Sequence, residues 1–416
     1  MLLRKLYYLR KVLQNQWLQP KELEKIQNKM LRRIILHAYK NTVFYRGLWK
    51  KHGVDIMSIK TKYDLKKLPV ISKSDLIKNY GQFLATDLKI KRMIMRTTSG
   101  TSGTGMKIPF DERSWDYLEA IYLRSLLAAG YDPRKSLAYY WYTPFEKTMH
   151  ARLGFMKKIL IPCQLTEEQQ IEILQKINPE YIYYFSSIIF SIAKKMKHEG
   201  MEMTPKCVIT HAELLSDKMR KTIEDAFQTS VFDHYGTAEF VRIAWECDKK
   251  VGYHVDADST VVEILDDGEP VSSGENGSAV FTGMVNDVFP LIRYKIGDIF
   301  VATDEKCNCG RSLPLIKSIE GREKDMIVLK SGKTIYPKTI IDSLAGLGTI
   351  YKFRINYFGK NHFVISLVSF EGENNEQMIK SNLQKTIGEG IKVDVEVVEE
   401  ISKGKTGKRE LVKKFK

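Results

Sequence analysis

The chain has 416 residues, of which 43% are hydrophobic and 28% are charged. These values are typical of a globular protein and exclude a disordered, collagen-like or coiled-coil chain, and the length predicts two or three domains. Lys and Arg number 66 against 50 Asp and Glu, which gives a formal charge of +16. Nucleotides, nucleic acid and anionic membranes are all compatible partners for such a charge, which does not choose among them.

The five cysteines predict free thiols or a metal site in a reducing compartment. Their number is odd, and only one residue separates Cys307 from Cys309, which does not suit a disulfide framework. No apolar run reaches the roughly 18–20 residues of a membrane-spanning helix. The first basic residues interleave with leucines instead of preceding them as in a signal peptide. We therefore expect a cytoplasmic protein.

The first predicted element is an amphipathic basic helix. Leu2, Leu6, Leu9 and Leu13 recur at helical spacing with basic residues between them, and Pro20 closes the segment. Such a helix could make peripheral contact with an anionic membrane. Docking of its leucines onto the protein is the favoured interpretation.

Helix and strand patterns alternate through the centre of the chain. Helices are predicted at 112–129, 166–177 and 216–227, and strands at 137–142, 181–185, 207–210 and 230–235. This alternation predicts a mostly parallel sheet covered by helices on both faces. Ligands of such sheets bind at the carboxyl ends of the strands.

The pattern changes twice in the last third of the chain. From about residue 260 it predicts β-hairpins. Beyond about residue 323 it predicts two strands, a helix and a further strand before a lysine-rich tail. We therefore predict an α/β protein with a large N-terminal domain, residues 1–323, of mostly parallel sheets plus a β-hairpin subdomain. A small, mobile α+β C-terminal domain follows at residues 324–416.

The strongest local signal is the loop TTSGTSGTG at 97–105. Glycines let backbone N–H groups point inward and hydroxyls add donors, so the loop could surround phosphate oxygens. The candidate ligands are Thr98, Ser99, Gly100, Thr101, Ser102 and Gly103. A P-loop is disfavoured because Met106 and Ile108 stand where its lysine and hydroxyl belong. A flexible turn would be an adequate interpretation if the loop stood alone.

Further motifs follow the loop in a fixed order. They are HYGTAEF (234–240), RYKIGDIF (293–300), EGREKDMI (320–327) and GKTGKRE (404–410). In content, order and spacing, the five motifs resemble the adenylate-forming, AMP-binding superfamily of acyl-CoA ligases. HAELL (211–215) and CNCGRSLPLIKSIEGR (307–322) are most similar to its phenylacetate-CoA ligase branch, which includes proteins encoded with capsular polysaccharide genes. The resemblance covers the chain from about residue 20 to its end.

The resemblance implies a ligase that activates a carboxylic acid with ATP. The acid attacks the α-phosphate, so the site must bind purine and ribose, hold Mg²⁺ and neutralise charge at phosphorus. The acyl-adenylate then passes its acyl group to a thiol, for which coenzyme A is the favoured acceptor. The expected small-molecule partners are thus a carboxylic acid, ATP and coenzyme A, and nucleic acid is not among them.

The resemblance also implies a role for individual residues of the 1–323 domain. Tyr235 would stack on adenine, Glu239 would bind Mg²⁺, and Asp298 and Arg322 would bind the ribose. The other implied nucleotide contacts are Glu213, Asp233, His234, Gly236 and Thr237. Two positions depart from the family pattern: Ala238 replaces the hydroxyl residue that usually precedes the motif glutamate, and Gly105–Met106 replaces a common Pro–Lys.

Lys408 is the catalytic lysine that the resemblance implies. It would bring a mobile positive charge to the carboxylate and α-phosphate, for which a compact ammonium on a flexible stem is suited. Lys324 occupies the family's hinge position, about which the small domain would rotate before thiol transfer. Composition alone would favour a solvated basic tail around Lys408 and a surface charge at Lys324.

Cys247, His254, Cys307 and Cys309 form a second candidate site. Three thiolates and an imidazole are a competent tetrahedral set for structural zinc, and some relatives place zinc here. Two separate groups of free thiols are the alternative.

Two other functions stay open from the sequence. The acyl group could pass to an amine or hydroxyl of a cell-surface saccharide, as the capsule-associated relatives suggest. The chain could also be a non-catalytic basic binding protein on the same fold. A serine-hydrolase site is disfavoured because no GxSxG motif is present, and the sequence indicates neither the acid nor the oligomeric state.

Overall fold

A computed structural model of the protein describes residues 2–87, 93–98, 105–143, 151, 154–370 and 376–415. The α-helices among them are α1 (Leu2–Asn15), α2 (Pro20–Asn41), α3 (Val43–Lys51), α4 (Lys73–Lys78), α5 (Tyr80–Phe83), α6 (Glu112–Ala128), α7 (Glu167–Ile177), α8 (Ser186–His198), α9 (Asp217–Phe227), α10 (Pro337–Ala345) and α11 (Glu376–Ile387).

The strands of the described residues form four sheets. They are β1 (Ile71–Ser72), β2 (Met93–Thr97), β3 (Lys107–Asp111), β4 (Leu137–Trp141), β5 (Lys158–Pro162), β6 (Tyr181–Phe185), β7 (Cys207–His211), β8 (Val231–Tyr235), β9 (Ala244–Glu246), β10 (Tyr253–Val255), β11 (Thr260–Asp266), β12 (Glu269–Pro270), β13 (Asn276–Gly283), β14 (Tyr294–Ala302), β15 (Leu315–Arg322), β16 (Ile327–Val328), β17 (Thr334–Ile335), β18 (Ile350–Tyr357), β19 (His362–Ser369), β20 (Lys392–Val397) and β21 (Val412–Lys414).

Packing divides the chain into two compact units. The first unit is Met1–Ala128 with His234–Ser318, and the second is Ala129–Asp233 with Ile319–Lys416. The sequence predicts a different boundary, between residues 323 and 324, beyond which a small domain would rotate as one body. That boundary stays a prediction.

The first unit contains the predicted hairpins. Its strands run in the order β12-β11-β13-β14-β15-β10-β9, and β11 pairs antiparallel with β13. β2 and β3 form a separate antiparallel hairpin with Thr97 opposite Lys107. The change to hairpins that the sequence predicts from about residue 260 is therefore confirmed.

Helix α1 docks on α6 of the same unit. Val12 is buried with Tyr117 and Ile121 of that helix, and Arg4 pairs with Asp116 at 2.6 Å. Other apolar residues of α1, such as Leu3, are exposed. Contact of this exposed side with a membrane stays a prediction. Within the described residues no helix combines the length and apolarity needed to cross a bilayer.

The second unit contains the predicted parallel sheet. Its strands run in the order β7-β6-β4-β5, and each neighbouring pair is parallel. Helix α7 begins at the predicted place because Thr166 and Gln169 form a capping box. The unit also contains the two-stranded sheet β16-β17 and a sheet of order β20-β19-β18-β21, whose strand β21 comes from the lysine-rich tail. The predicted mixed α/β fold class is confirmed.

A buried ion cluster fixes the interior of the first unit. Arg124, fully buried on α6, donates to Asp256 at 2.6 Å and to Asp258 at 2.7 Å. Asn15 donates to Asp258 at 2.8 Å, and Trp245 donates to Asp256 at 2.8 Å. The cluster thus connects α1, α6 and the segment after β10, because each buried charge needs its partners to offset the loss of water.

Removing one partner of this cluster should destabilise the protein strongly. Asp258→Ala leaves Arg124 under-compensated in the interior and should lower the free energy of unfolding by about 3–5 kcal/mol. Urea denaturation measures this value. Glu305→Ala, which breaks the exposed Lys317–Glu305 pair of the same unit, is the matched control and should change it by less than about 1 kcal/mol. Equal effects of the two substitutions would contradict this role of the cluster.

Candidate active site and metal centre

The two ends of the glycine-rich loop are held together by β2 and β3. The Thr98 N–H donates to the Met106 carbonyl at 2.8 Å, and the Met106 N–H donates to Thr98 Oγ1 at 3.0 Å. A Cβ atom on Gly105 would lie 2.3 Å from the Thr98 carbonyl oxygen, so this close approach requires glycine. The predicted ligands Ser99, Gly100, Thr101, Ser102 and Gly103 lie outside the described residues.

The HYGTAEF motif makes a tight turn after β8. A Cβ atom on Gly236 would lie 2.0 Å from the Val241 carbonyl oxygen. Thr237 Oγ1 accepts the Phe240 N–H at 3.3 Å, and Val241 has a φ of 65°. A β-branched residue rarely adopts this left-handed conformation, so the turn is strained, as is common at binding sites.

Two predicted nucleotide-binding residues meet in the first unit. The Tyr235 hydroxyl donates to Asp298 Oδ2 at 2.5 Å. Asp298 is buried, and the Phe300 ring packs edge-on against Tyr235 at 5.0 Å between centroids. A buried carboxylate beside an aromatic ring can accept the hydroxyls of a sugar while the ring faces a base.

Glu239 and His234 are also buried in the first unit. Burial raises the pKa of Glu239, and the nearby charge of Asp298 acts in the same direction. A cation bound at Glu239 would offset this unfavourable environment for its negative charge. The carboxylate oxygens are also the ligand type that Mg²⁺ prefers, so Glu239 fits the predicted magnesium ligand.

The HAELL motif makes a turn in the second unit. It follows β7, and Ala212 has a φ of 66°. The Glu213 carboxylate accepts the Ser187 N–H at 2.9 Å and the Arg409 N–H at 2.6 Å. Both Glu213 oxygens are therefore used by backbone donors, one of which directly follows the predicted catalytic lysine.

Asp233 is buried on β8, at the end of the segment Ala129–Asp233 of the second unit. Thr210 donates to Asp233 Oδ1 at 2.7 Å, which joins β7 to β8.

Lys408 follows a glycine that is packed without spare room. Gly407 has a φ of 79°, and a Cβ atom there would lie 2.5 Å from Cys163 Cβ. The Tyr140 hydroxyl donates to the Gly407 carbonyl at 3.2 Å. Lys408 Nζ lies 6.0 Å from the centre of the Phe185 ring, at the carboxyl end of β6. The backbone that precedes the Lys408 side chain is thus fixed in position.

Residues 320–325 include the end of β15 and the residues that follow it. Arg322 is half-buried and precedes a short 3₁₀ helix, Glu323–Asp325. Lys324 is exposed, with Asp325 at 3.7 Å and Glu410 at 3.9 Å. The hinge role of Lys324 stays a prediction.

The structure brings the four predicted metal ligands together. One ligand atom from each of Cys247, His254, Cys307 and Cys309 lies within 4.8 Å of all the others. Cys247 Sγ and Cys307 Sγ are 3.6 Å apart, and Cys309 Sγ lies 3.4 Å from His254 Nε2. Tetrahedral zinc with ordinary bond lengths would separate two sulfurs by about 3.8 Å and a sulfur from a nitrogen by about 3.5 Å. The four side chains could therefore hold a metal ion.

Electrostatics keeps the imidazole of this cluster ready to ligate. Burial, and secondarily the charge of Arg311, lowers the pKa of His254 to about 4, so the ring is neutral at pH 7. Burial raises the pKa of Cys247 to about 12. At Cys309 burial also acts upward, but hydrogen bonds from Arg311 outweigh it and lower the pKa.

Comparison with known proteins identifies relatives along most of the chain. No protein-family model matches it. Phenylacetate-coenzyme A ligase of Thermus thermophilus is 28% identical over 337 residues, which cover 77% of this chain and 75% of the relative. The Escherichia coli protein of the same name is 26% identical over 81% of this chain and 80% of its own. Protein CapK of Staphylococcus aureus is 25% identical over 74% of this chain and 69% of its own.

Solved structures share the fold. A 2-hydroxyisobutyryl-CoA ligase in the postadenylation state matches with a TM-score of 0.80 and 18% identity, over 96% of this chain and 91% of its own. The anthranilate CoA ligase AuaEII matches with a TM-score of 0.60 and 14% identity, over 78% and 67%. The fold is that of the adenylate-forming enzymes. In sequence the chain is similar to the phenylacetate-CoA ligases and CapK, as its motifs indicate.

The structure adds residues around Lys408 that sequence reasoning did not select. Glu167 and Arg409 are buried and form an ion pair at 2.8 Å. The sequence placed Arg409 in a basic tail and Glu167 in the first turn of a helix, where acidic residues are ordinary. Only the position of Arg409 next to Lys408 could have indicated a special role.

The close approach at Gly236 yields a test of the turn after β8. Gly236→Ala forces the backbone away from the Val241 carbonyl, and it should lower the free energy of unfolding by about 1–3 kcal/mol. Gly81→Ala is the control, since a Cβ atom there meets nothing within 4 Å. Thermal or urea unfolding of both variants measures the difference. A Gly236 variant as stable as the control would show that the turn is not as tight as described.

Proposed function

We propose that the protein is an AMP-forming acid–thiol ligase similar to phenylacetate-CoA ligase. In the first step a carboxylate attacks the α-phosphate of ATP, giving an acyl-adenylate and releasing pyrophosphate. In the second step a thiol, most favourably that of coenzyme A, attacks the acyl carbon, releasing AMP and a proton. The observation that carries the proposal is Lys408 on its fixed glycine turn, in a chain whose curated relatives are phenylacetate-CoA ligases.

Residues of the first unit would bind the nucleotide. The Tyr235 ring would face adenine, and the Asp298 carboxylate would accept ribose hydroxyls in place of the Tyr235 hydroxyl that it accepts here. Thr98 and the residues up to Gly103 would donate hydrogen bonds to phosphate oxygens. Glu239 would hold Mg²⁺, which neutralises negative charge on the phosphates when bound. His234, Gly236 and Thr237 would shape the turn beside the base.

Residues of the second unit would act on the reacting groups. Lys408 would place its ammonium beside the carboxylate and α-phosphate, where charge develops as the phosphorus–oxygen bond forms. Arg322 would reach the ribose, and Asp233 and the Ala212–Glu213 turn would border the adenine. Rotation of residues 324–416 about Lys324 would then withdraw the lysine and admit the thiol.

A second acceptor class follows from the similarity to CapK. The acyl-adenylate could pass its acyl group to an amine or hydroxyl of a cell-surface saccharide precursor. Product analysis with coenzyme A and with amino or neutral sugars distinguishes the two acceptors. A non-catalytic binding protein would instead bind ATP and release no pyrophosphate with any acid.

The direct test is a pyrophosphate-release screen of the purified protein over aryl, fatty and amino acids. At least one acid should stimulate release from ATP and Mg²⁺, because the activated acid and pyrophosphate form together. If no acid stimulates pyrophosphate release although the protein binds ATP, the ligase proposal is contradicted.

Lys408→Ala should lower acid-dependent ATP–pyrophosphate exchange by about 100-fold or more, because a positive charge is lost where negative charge develops. ATP binding and folding should be retained. Lys405→Ala, which removes an exposed lysine of the same turn, is the matched control and should leave exchange within about twofold, since an exposed charge contributes little. If the Lys408→Ala variant retained acid-dependent ATP–pyrophosphate exchange, the catalytic role of Lys408 would be contradicted.

We also infer that the Cys/His cluster binds structural zinc. Purified protein should contain about one zinc per chain, and chelation or Cys307→Ser should lower its melting temperature, because metal-binding energy contributes to folding. Cys207→Ser, at a buried cysteine outside the cluster, should leave the zinc content unchanged. The inference would be contradicted if the purified protein contained no zinc and chelators did not change its melting temperature.

A further inference from the structure

Arg409 is held by several contacts just after Lys408, one of them from its guanidinium to the Ser187 carbonyl at 3.3 Å. Its guanidinium donates to Glu167 Oε1 at 2.8 Å and to Ser191 Oγ at 2.8 Å. Its backbone N–H donates to Glu213 Oε1 at 2.6 Å. A charge-assisted hydrogen bond to a buried carboxylate is short and strong, so it restrains the arginine side chain. The residue that follows the lysine is therefore fixed in position.

Glu167 is the centre of this arrangement. Its second oxygen accepts Lys352 Nζ at 2.8 Å, and it lies in the first turn of α7, where the helix dipole favours a negative charge. Burial acts to raise the pKa of Glu167, but the charges of Arg409 and Lys352 outweigh burial and hold the pKa below its ordinary value. The carboxylate is thus ionised and fully paired.

These contacts connect the two predicted domains at the site of Lys408. Arg409 and Lys352 belong to residues 324–416, whereas Glu167, Ser191 and Glu213 belong to residues 1–323. A rotation that withdraws Lys408 must break all of these contacts together. An ion pair suits reversible separation, because both charged groups regain water when they part and so recover their hydration energy.

We propose that Glu167 and Arg409 are positioning residues, whose ion pair fixes the Lys408 loop during adenylation and separates before thiol transfer. The inference rests on the ligase function proposed above. It assigns no chemistry to either residue: both act through the placement of the Lys408 backbone. Their loss should therefore slow the first half-reaction and spare the second.

Glu167→Gln tests the proposal, because it keeps the shape of the side chain and removes its charge. We expect the kcat of ATP–pyrophosphate exchange to fall by about 10- to 100-fold, the size of effect that a misplaced catalytic group produces, with the KM for ATP nearly unchanged. The rate of thioester formation from supplied acyl-adenylate and coenzyme A should stay within about twofold, since that step does not use the docked loop. Arg409→Lys should retain more exchange activity than Arg409→Met.

Glu168→Gln is the matched control. Glu168 is the next residue of the same helix, and its exposed carboxylate pairs with Lys195 of α8. Its loss should leave both half-reactions unchanged. Equal losses in both half-reactions of the Glu167 variant, or unchanged exchange, would overturn the positioning role while leaving the ligase function intact.

Hydrogen exchange gives a readout that needs no substrate. Amides of residues 404–410 should exchange at least about 10-fold faster in Glu167→Gln than in the wild-type protein or in Glu168→Gln, because local opening becomes easier. Unchanged protection would overturn the inference, whatever the outcome of the acid screen. Wild-type protein that activates no acid but shows the expected loss of protection would contradict the ligase function, and with it the role in adenylation.

Discussion

Charged groups that leave water must find partners, and in this protein those partners come from distant parts of the chain. In the first unit Arg124 meets Asp256 and Asp258, and in the second Glu167 meets Arg409. Each cluster is buried, so it tolerates little displacement before the desolvation penalty is felt. The first cluster holds together elements that do not move relative to each other in the proposed cycle. The second cluster joins elements that do move relative to each other in that cycle. The same need for partners thus gives a permanent contact in the first unit and a reversible one in the second.

Backbone strain marks the turns that carry the candidate nucleotide-binding residues. Ala212, Val241 and Arg293 all have positive φ angles without being glycine. Each adjoins a motif: the first lies within HAELL, the second follows HYGTAEF, and the third opens RYKIGDIF. Strain of this kind persists only where the surroundings impose it. Strained backbone conformations thus occur beside the side chains whose orientation matters for the proposed site, such as Glu213, Tyr235 and Asp298.

The fold was largely predictable from sequence because its elements follow local rules. The strand at 181–185 has the predicted bounds, since its aromatic and β-branched residues suit a fully buried strand. The capping box at Thr166 set the start of α7. The candidate metal ligands could be selected by their chemistry, but their convergence depends on the pairing of β10 with β9 and β15, which spacing alone does not determine.

The positioning of Lys408 shows where such prediction ends. A lysine-rich segment has the composition of a solvated surface, and no local pattern indicates that Arg409 is buried or that Val412 pairs with Ile355. Burial of Glu167 depends on two cations more than a hundred positions away along the chain. Contacts of this range are set by the tertiary fold, and one-dimensional periodicity does not contain them.

The missing side chain of Gly407 sets how the lysine can move. Cys163 and Tyr140 pack against this glycine in this structure, and even a single methyl group would displace the turn. The backbone from which the Lys408 side chain extends is therefore held in one position for as long as the turn stays packed on Cys163 and Tyr140. The tight fit at this glycine thus limits the positions that the Lys408 ammonium can reach before the proposed rotation to those within the length of one side chain.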